Sequence, residues 1–318
     1  MTVKTSRSED MCLVNDVDSH IIIFSCTSNL RVLCTQVKEI FIDGTFKCCP
    51  KFFEQLYTIH GYSNGHDIPL VFALLVSRSE DTYRKFLQHV IDICSARNLT
   101  FKPAVVHVEL EISVHNVFRQ RLPETSIQCC RFHLGQSWWR KIQKTGLSTE
   151  YKDNESSIEQ WLKSFFGLAF LDVEDCFGDD IMRVLPEDPR CTSFADYILE
   201  NYIVPDSRFL PTLWSSLPSL NAKRTTNGAE SFHAHYIDYN EQFYAAHPTI
   251  FIFLDVLSKI QTTYVKVRTI HMPAVIRRSE MEKLSYLMDQ YNKLQANEID
   301  RYQFVRAIGY KYSAKTDI

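Results

Sequence analysis

Residues 39–76 hold three runs, EIFIDGTFK (39–47), QLYTIHGYS (55–63) and IPLVFALLV (68–76), that are rich in β-branched and aromatic side chains. The stretches between them suit turns, and GYSNGHD, linking the second run to the third, is a hairpin signal. Three adjacent antiparallel strands are the simplest arrangement. A helix is expected over 79–98. Ser79 suits its N-cap, acidic residues fill its first turn, and Tyr83, Phe86, Leu87, Val90, Ile91 and Cys94 recur at helical spacing. PAVVHVEL (103–110) reads as a fourth strand, and the helix before it makes a parallel crossover the expected connection. A helix from about Ser113 to Arg121 follows, then a fifth strand, SIQCCRFH (126–133). LGQSWWRKIQKTG leads into a further helix that stops near Gly146.

Outside this block the pattern is mostly helical. Residues 1–18 read as a loose leader, HIIIFS (20–25) as a short strand, and SNLRVLCTQ (28–36) as a short helix capped by Ser28. Residues 148–220 carry helical periodicity and no convincing strand, as expected of an all-helical insertion. TNGAESFHAHY (226–236) starts another helix, residues 247–270 continue as helix, and the charged amphipathic stretch from Ala274 to about Leu294 is helical too. The expected organisation is a leader (1–18), a first core part (19–147), the insertion (148–220), core helices carrying a last acidic residue (221–270) and a helical tail (271–318). Periodicity gives only an α/β class. The element order β-β-β-α-β-α-β-α resembles that of the ribonuclease-H-like fold, which implies a mixed five-stranded sheet with helices.

Composition excludes several classes. The formal charge of −3 over 318 residues rules out a small basic DNA-binding module, though not a locally basic groove. Nine glycines make long flexible linkers unexpected. Ten cysteines without a C-x-x-C pair, behind a polar start (MTVKTSRSED), read as reduced thiols in an intracellular protein, nuclear or cytoplasmic. No apolar run approaches the roughly 20 residues that span a bilayer, so no membrane partner is expected.

Four acids stand where chemistry could use them. Asp43 lies within IFIDGTF, on a strand face shared with Phe41 and Thr45, where an unpaired carboxylate is costly to bury. A bound cation resolves that cost, and so does a carboxylate capping the strand end. Glu109 ends the fourth strand, and Glu111 follows two residues on. Glu230 lies in TNGAESFHAHY. Acids gathered from such distant segments can hold two divalent ions about 4 Å apart and activate water or a 3′-hydroxyl for attack on phosphate. The cations relieve the mutual repulsion of the acids.

FIDGTFKCCPKFFEQLYTIHGY, IPLVFALLVSRSEDTYRKFL, CRFHLGQSWWRKIQKTGLSTEY and RTTNGAESFHAHY, followed by HPTIFIFLDVL, closely resemble the transposase domain of Mutator-like elements, the MULE family. The resemblance extends over about residues 20–270. It implies a ribonuclease-H-like core with a helical insertion, a DDE site for Mg2+ or Mn2+, and cutting and joining of DNA at transposon terminal inverted repeats and target DNA, by a chain that could act as a homo-oligomer. Asp43 matches the family's first acid, in D-G-T-F. Glu230 matches the last, in a motif that usually reads N-N-x-x-E-x-x-H; Asn227 is kept, and Gly228 replaces the second Asn. The middle acid is usually the Asp of D-F-E, whereas this chain reads Glu109-Leu110-Glu111. Glu109 therefore adds one methylene, roughly 1.5 Å of reach, to a constellation that tolerates about 0.5 Å. Magnesium's demand for octahedral geometry makes impaired catalysis the expectation, with Glu111 as a supporting or substitute acid. The alternative is an inactive, decayed or domesticated copy that binds DNA or protein, to which the lack of a separate zinc-binding recognition module also points.

Cys130 and His133 form a C-x-x-H that the family shares. Zn2+ could use such a pair, with Cys129 and His233 as recruits, but it is half a site, and a buried Cys beside a hydrogen-bonded His is the preferred reading. Trp138 and Trp139 lie about 100° apart on their helix, so one is expected to pack while the other reaches a partner; stacking on an unpaired base is the sharper reading of that second ring, and packing against the helical insertion is the preferred one. Arg131, Arg140, Lys141 and Lys144, with Lys223, Arg224, Asn227 and His233, are the remaining candidates for DNA contact.

Overall fold

The structure, a computed structural model, describes residues 4, 8–46, 49–63, 65–154, 156–175, 179–218, 247–258 and 277–314. The chain divides into two units, residues 1–127 with 225–275 and residues 128–224 with 276–318.

The first unit is built on the strand-rich block. β1 (Cys12–Asp16), β2 (Ile21–Phe24), β3 (Glu39–Thr45), β4 (Gln55–Ser63), β5 (His66–Leu75), β6 (Val105–Val108) and β7 (Ser126–Cys129) form one mixed sheet in the order β1-β2-β5-β4-β3-β6-β7. The division between the units falls inside β7. β3, β4 and β5 run antiparallel as the hairpin signal implies, with Gly65 supplying a positive φ of 80° at the turn. β6 pairs parallel to β3, through the crossover helix α2 (Glu80–Ser95). Ser79 caps α2 by accepting the Thr82 amide. Pro69 is tolerated inside β5 because the β4–β5 register shifts at Ile59/His60, next to its partner His60.

The sheet has seven strands where five were expected. β2 covers the outer edge of β5 and β1 covers β2, both antiparallel, so the hairpin's outer strand is not a bare edge. β1 falls within the stretch read as leader. Its sequence, CLVND, is too short to announce a strand without its partner. Two further details differ. Helix α1 (Thr27–Thr35) starts at Cys26 without a side-chain cap, because the Ser28 hydroxyl donates to Glu9 at 2.5 Å instead. On α2, Ile93 rather than Ile91 completes the buried stripe. Helix α3 (Ile112–Arg121) then joins β6 to β7.

One face of the sheet packs on residues 250–258, which are helical. Phe253, Val256 and Leu257 meet Phe24, Leu56, Phe72 and Leu74 there. The sheet residues arrive together because Phe24 pairs with Phe72, and Leu74 with Leu56. His247 Nδ1 lies 3.1 Å from the Cys49 carbonyl oxygen and fixes the start of that segment.

The second unit is helical beyond β7: α4 (Arg131–Lys144), α5 (Ser148–Lys152), α6 (Ser157–Ser164), α7 (Asp179–Met182), α8 (Pro189–Ile198), α9 (Pro211–Trp214), α10 (Arg278–Gln295) and α11 (Arg301–Tyr312). β7 ends at Cys129 and α4 begins at Arg131, so the expected strand to residue 133 is four residues too long. Gly146, at φ +75°, ends the α4 region. Asp300 and Gln303 form a capping box on α11. α11 approaches its neighbours backbone to backbone. A Cβ on Gly309 would lie 2.1 Å from the Lys163 carbonyl oxygen, and one on Gly167 would lie 2.2 Å from that of Val305. No helix among the described residues is long and apolar enough to cross a membrane.

Candidate acidic site

Parallel pairing of β3 with β6 explains why two distant acids meet. Glu39, Ile40 and Phe41 pair with Val105, Val106 and His107. The same offset carried two residues further sets Asp43 beside Glu109, at equivalent positions of neighbouring strands. Their side chains therefore leave the same face. A carboxylate oxygen of Asp43 lies within 4.8 Å of one of Glu109. Asp43 is only 4% exposed. Below the pair, the Phe41 and His107 rings stack at 4.2 Å, which fixes the register from the side-chain side.

Glu109 sits just past the last residue of β6, and Glu111 occupies the N-cap position of α3. The two side chains diverge in their partners. The Gly44 amide donates to Glu109 Oε1 at 3.3 Å. Glu111 Oε2 accepts from Arg78 Nη2 at 2.9 Å and from the Tyr83 hydroxyl at 3.0 Å. Arg78 also comes within 4.0 Å of Glu109 Oε2. Gln55 Nε2 donates to the Tyr83 hydroxyl at 3.1 Å, so Gln55, Tyr83, Glu111 and Arg78 form one chain of hydrogen bonds beside the acids. Gly44 leaves room for the end of the Gln55 side chain, whose Oε1 would lie 2.6 Å from a Cβ there.

The electrostatics follow this crowding. Burial first, then the charges of Tyr83, Glu109, Glu111 and Asp43, push the Tyr57 phenol well above its ordinary pKa. Burial opposes the charge on Arg78, but its hydrogen bond to Glu111 and that carboxylate's charge prevail and raise its pKa. His115 lies one turn into α3, with its Nε2 2.8 Å from the Glu109 carbonyl oxygen. Burial lowers His115 to about 4, so it is neutral and donates from Nε2.

Arg78, Tyr83, Gln55, Gly44 and His115 had no place in the expected site. Arg78 had a signal, since it lies between β5 and α2 in a stretch that carries the family resemblance. Glu230, Lys223, Arg224, Asn227 and His233 lie outside the described residues. In the second unit, Cys130 is buried at the N-cap position of α4 and His133 is half-buried in its first turn. The Phe132 ring lies edge-on to His133 at 5.5 Å.

Three of the candidates for DNA contact are packed inside the helical unit. Trp138 and Trp139 are both buried, at 1% and 3% exposure. Trp138 packs edge-on against Phe166, Tyr202 and Trp214, while Trp139 packs on Tyr151. Side chains 100° apart can both be internal because α4 is walled on two sides. Arg131 lies over the Phe170 and Tyr312 rings, at 4.8 Å and 4.7 Å, and is taken up inside the unit. Arg140 and Lys144 are exposed, and Lys141 lies over the Tyr197 ring at 5.0 Å.

A mixed sheet with two acids side by side at its strand ends describes a class, α/β proteins with a candidate cation site. The family comparison is more specific: residues 39–137 match the model of the MULE transposase domain, a stretch that includes both Asp43 and Glu109. No curated protein matches the chain.

Proposed function

We propose that the chain is a DDE-type transposase domain of the MULE kind, built on a ribonuclease-H-like core, that cleaves and joins DNA at transposon ends. The observation that carries this reading is the approach of Asp43 and Glu109 to within 4.8 Å inside the family-matching stretch. The donor set fits a hard divalent ion. Carboxylate oxygens are the preferred ligands of Mg2+ and Mn2+, and opposed ligands of Mg2+ sit about 4.2 Å apart. Asp43 and Glu109 would hold the metal, with Glu230 as the third acid. When bound, such ions polarise the phosphate and lower the pKa of the attacking water or hydroxyl. Glu111 is the supporting acid, and its bonds to Arg78 and Tyr83 give it a positioning role. Gly44 and His115 orient Glu109, one through its carboxylate and the other through its carbonyl. Arg140, Lys141 and Lys144, with Lys223 and Arg224, are the DNA contacts of this reading.

A second reading is a non-catalytic descendant that binds DNA or protein, and Glu109 in place of aspartate favours it. Both readings meet in one experiment, manganese-dependent nicking of DNA carrying terminal inverted repeats. Nicking by the wild-type chain that Asp43→Asn abolishes supports the catalytic reading. Activity that appears only in Glu109→Asp supports the descendant. If neither protein nicks and neither binds Mn2+, the site assignment fails.

A further inference from the structure

The helical unit contains a cavity of about 290 Å³ between α6, α10 and α11. Its walls include Glu159 and Lys163 of α6, Tyr286 of α10, and Arg306, Tyr310 and Lys311 of α11. On α11, Tyr310 lies one turn beyond Arg306 on the same face, and Lys311 follows about 100° further round.

The wall is fixed by a buried ion pair. Glu159 is 1% exposed and accepts from Lys163 Nζ. A buried carboxylate needs such a partner. The pair holds the ammonium over the rings of Tyr151 and Tyr310, at 5.3 Å and 4.7 Å. Glu159 and Lys163 thus neutralise each other. Arg306 and Lys311 are exposed, and among the described residues neither forms an ion pair. Lys311 Nζ lies 5.2 Å from the Tyr286 ring centre, which keeps it at the cavity. Tyr310 is 56% exposed and leaves ring surface for a ligand. Two cations of like sign beside the exposed Tyr310 ring form a lining for an anion that also carries a flat ring. The volume sits at the lower end of ligand pockets, the range of one nucleotide rather than of a larger molecule.

We propose that this cavity binds a nucleotide unit, its phosphate held by Arg306 and Lys311 and its base stacked on Tyr310. The unit can be a free nucleotide or one residue of an unpaired nucleic-acid strand, which share this chemistry. The site is independent of Asp43 and Glu109.

The test uses the full chain in EDTA, so that no divalent ion engages the acidic site. The probes are dTMP, a fluorescent five-residue oligothymidylate, and inorganic phosphate. The expected result is saturable binding of dTMP and the oligomer, about tenfold weaker in R306A/K311A. Tyr310→Ala is expected to weaken both nucleotide probes about fivefold and to leave phosphate unchanged. Equal affinity for dTMP and the oligomer identifies a free nucleotide as the source, and tighter binding of the oligomer identifies a strand. Asp43→Asn leaves all of this unchanged, which separates the cavity from the acidic site. Binding of phosphate alone, no effect of the double variant, or no binding of any probe overturns the proposal. The three substituted side chains are exposed, so thermal melting of the variants is expected to match wild type.

Discussion

The neutral imidazole of His115 donates to the backbone carbonyl oxygen of Glu109, 2.8 Å away, tying the start of α3 to the end of β6. Burial, partly opposed by this hydrogen bond, keeps the His115 pKa near 4 against an ordinary 6.5. The unfolded chain therefore takes up a proton at a pH where the folded chain does not. The stabilisation is full above about pH 6.5 and is lost as pH falls towards 4. It is on the order of 3 kcal/mol. Urea unfolding at pH 7 and pH 5 checks this: the wild type is expected to lose more stability between them than His115→Gln.

Asp43 and Glu109 repel each other in the absence of a cation. Asp43→Asn is therefore expected to raise the melting temperature in EDTA. It is also expected to abolish the stabilisation that Mn2+ gives the wild type, about 2.7 kcal/mol of unfolding free energy at a hundredfold excess over the dissociation constant. Differential scanning calorimetry with and without Mn2+ reads both effects, and a wild type indifferent to Mn2+ would count against the site.

Tyr83 links Gln55 to Glu111, and Arg78 completes the chain. Tyr83→Phe removes one hydroxyl and is expected to cost about 1 kcal/mol in urea unfolding. Arg78→Met, which leaves Glu111 at 17% side-chain exposure without its guanidinium, is expected to cost about 1–2 kcal/mol.

Trp138 touches three aromatic rings inside the helical unit. Trp138→Ala is expected to destabilise the chain by about 3–5 kcal/mol, as a cavity replaces the indole. Guanidinium titration followed by circular dichroism reads the loss. A drop in DNA affinity without a drop in stability would instead give Trp138 a direct part in DNA contact.

The sequence exposes the acids more readily than what surrounds them. Asp43 and Glu109 stand out because a carboxylate at the end of an apolar strand is anomalous, and parallel pairing of their strands follows from the intervening helix. The partners of Glu111 are hidden because Arg78 and Tyr83 reach it only through the crossover, which no local pattern encodes. Trp138 and Trp139 mislead for a related reason. Helical geometry separates their directions correctly, but only tertiary structure reveals that α4 has walls on two sides. β1 is not legible locally because three apolar residues do not identify a strand until β2 lies beside them.

Gly167 and Gly309 let α11 press against main chain on α6 and on the turn that follows it, with no side chain between. That seat has a temporal meaning. Residues 128–224 leave the ribosome well before 276–318, and the stretch between them belongs to the other unit. The early helices must therefore wait, incompletely covered, until residues 301–312 arrive to close them. Nascent chains of this protein are expected to be most in need of chaperones during that interval.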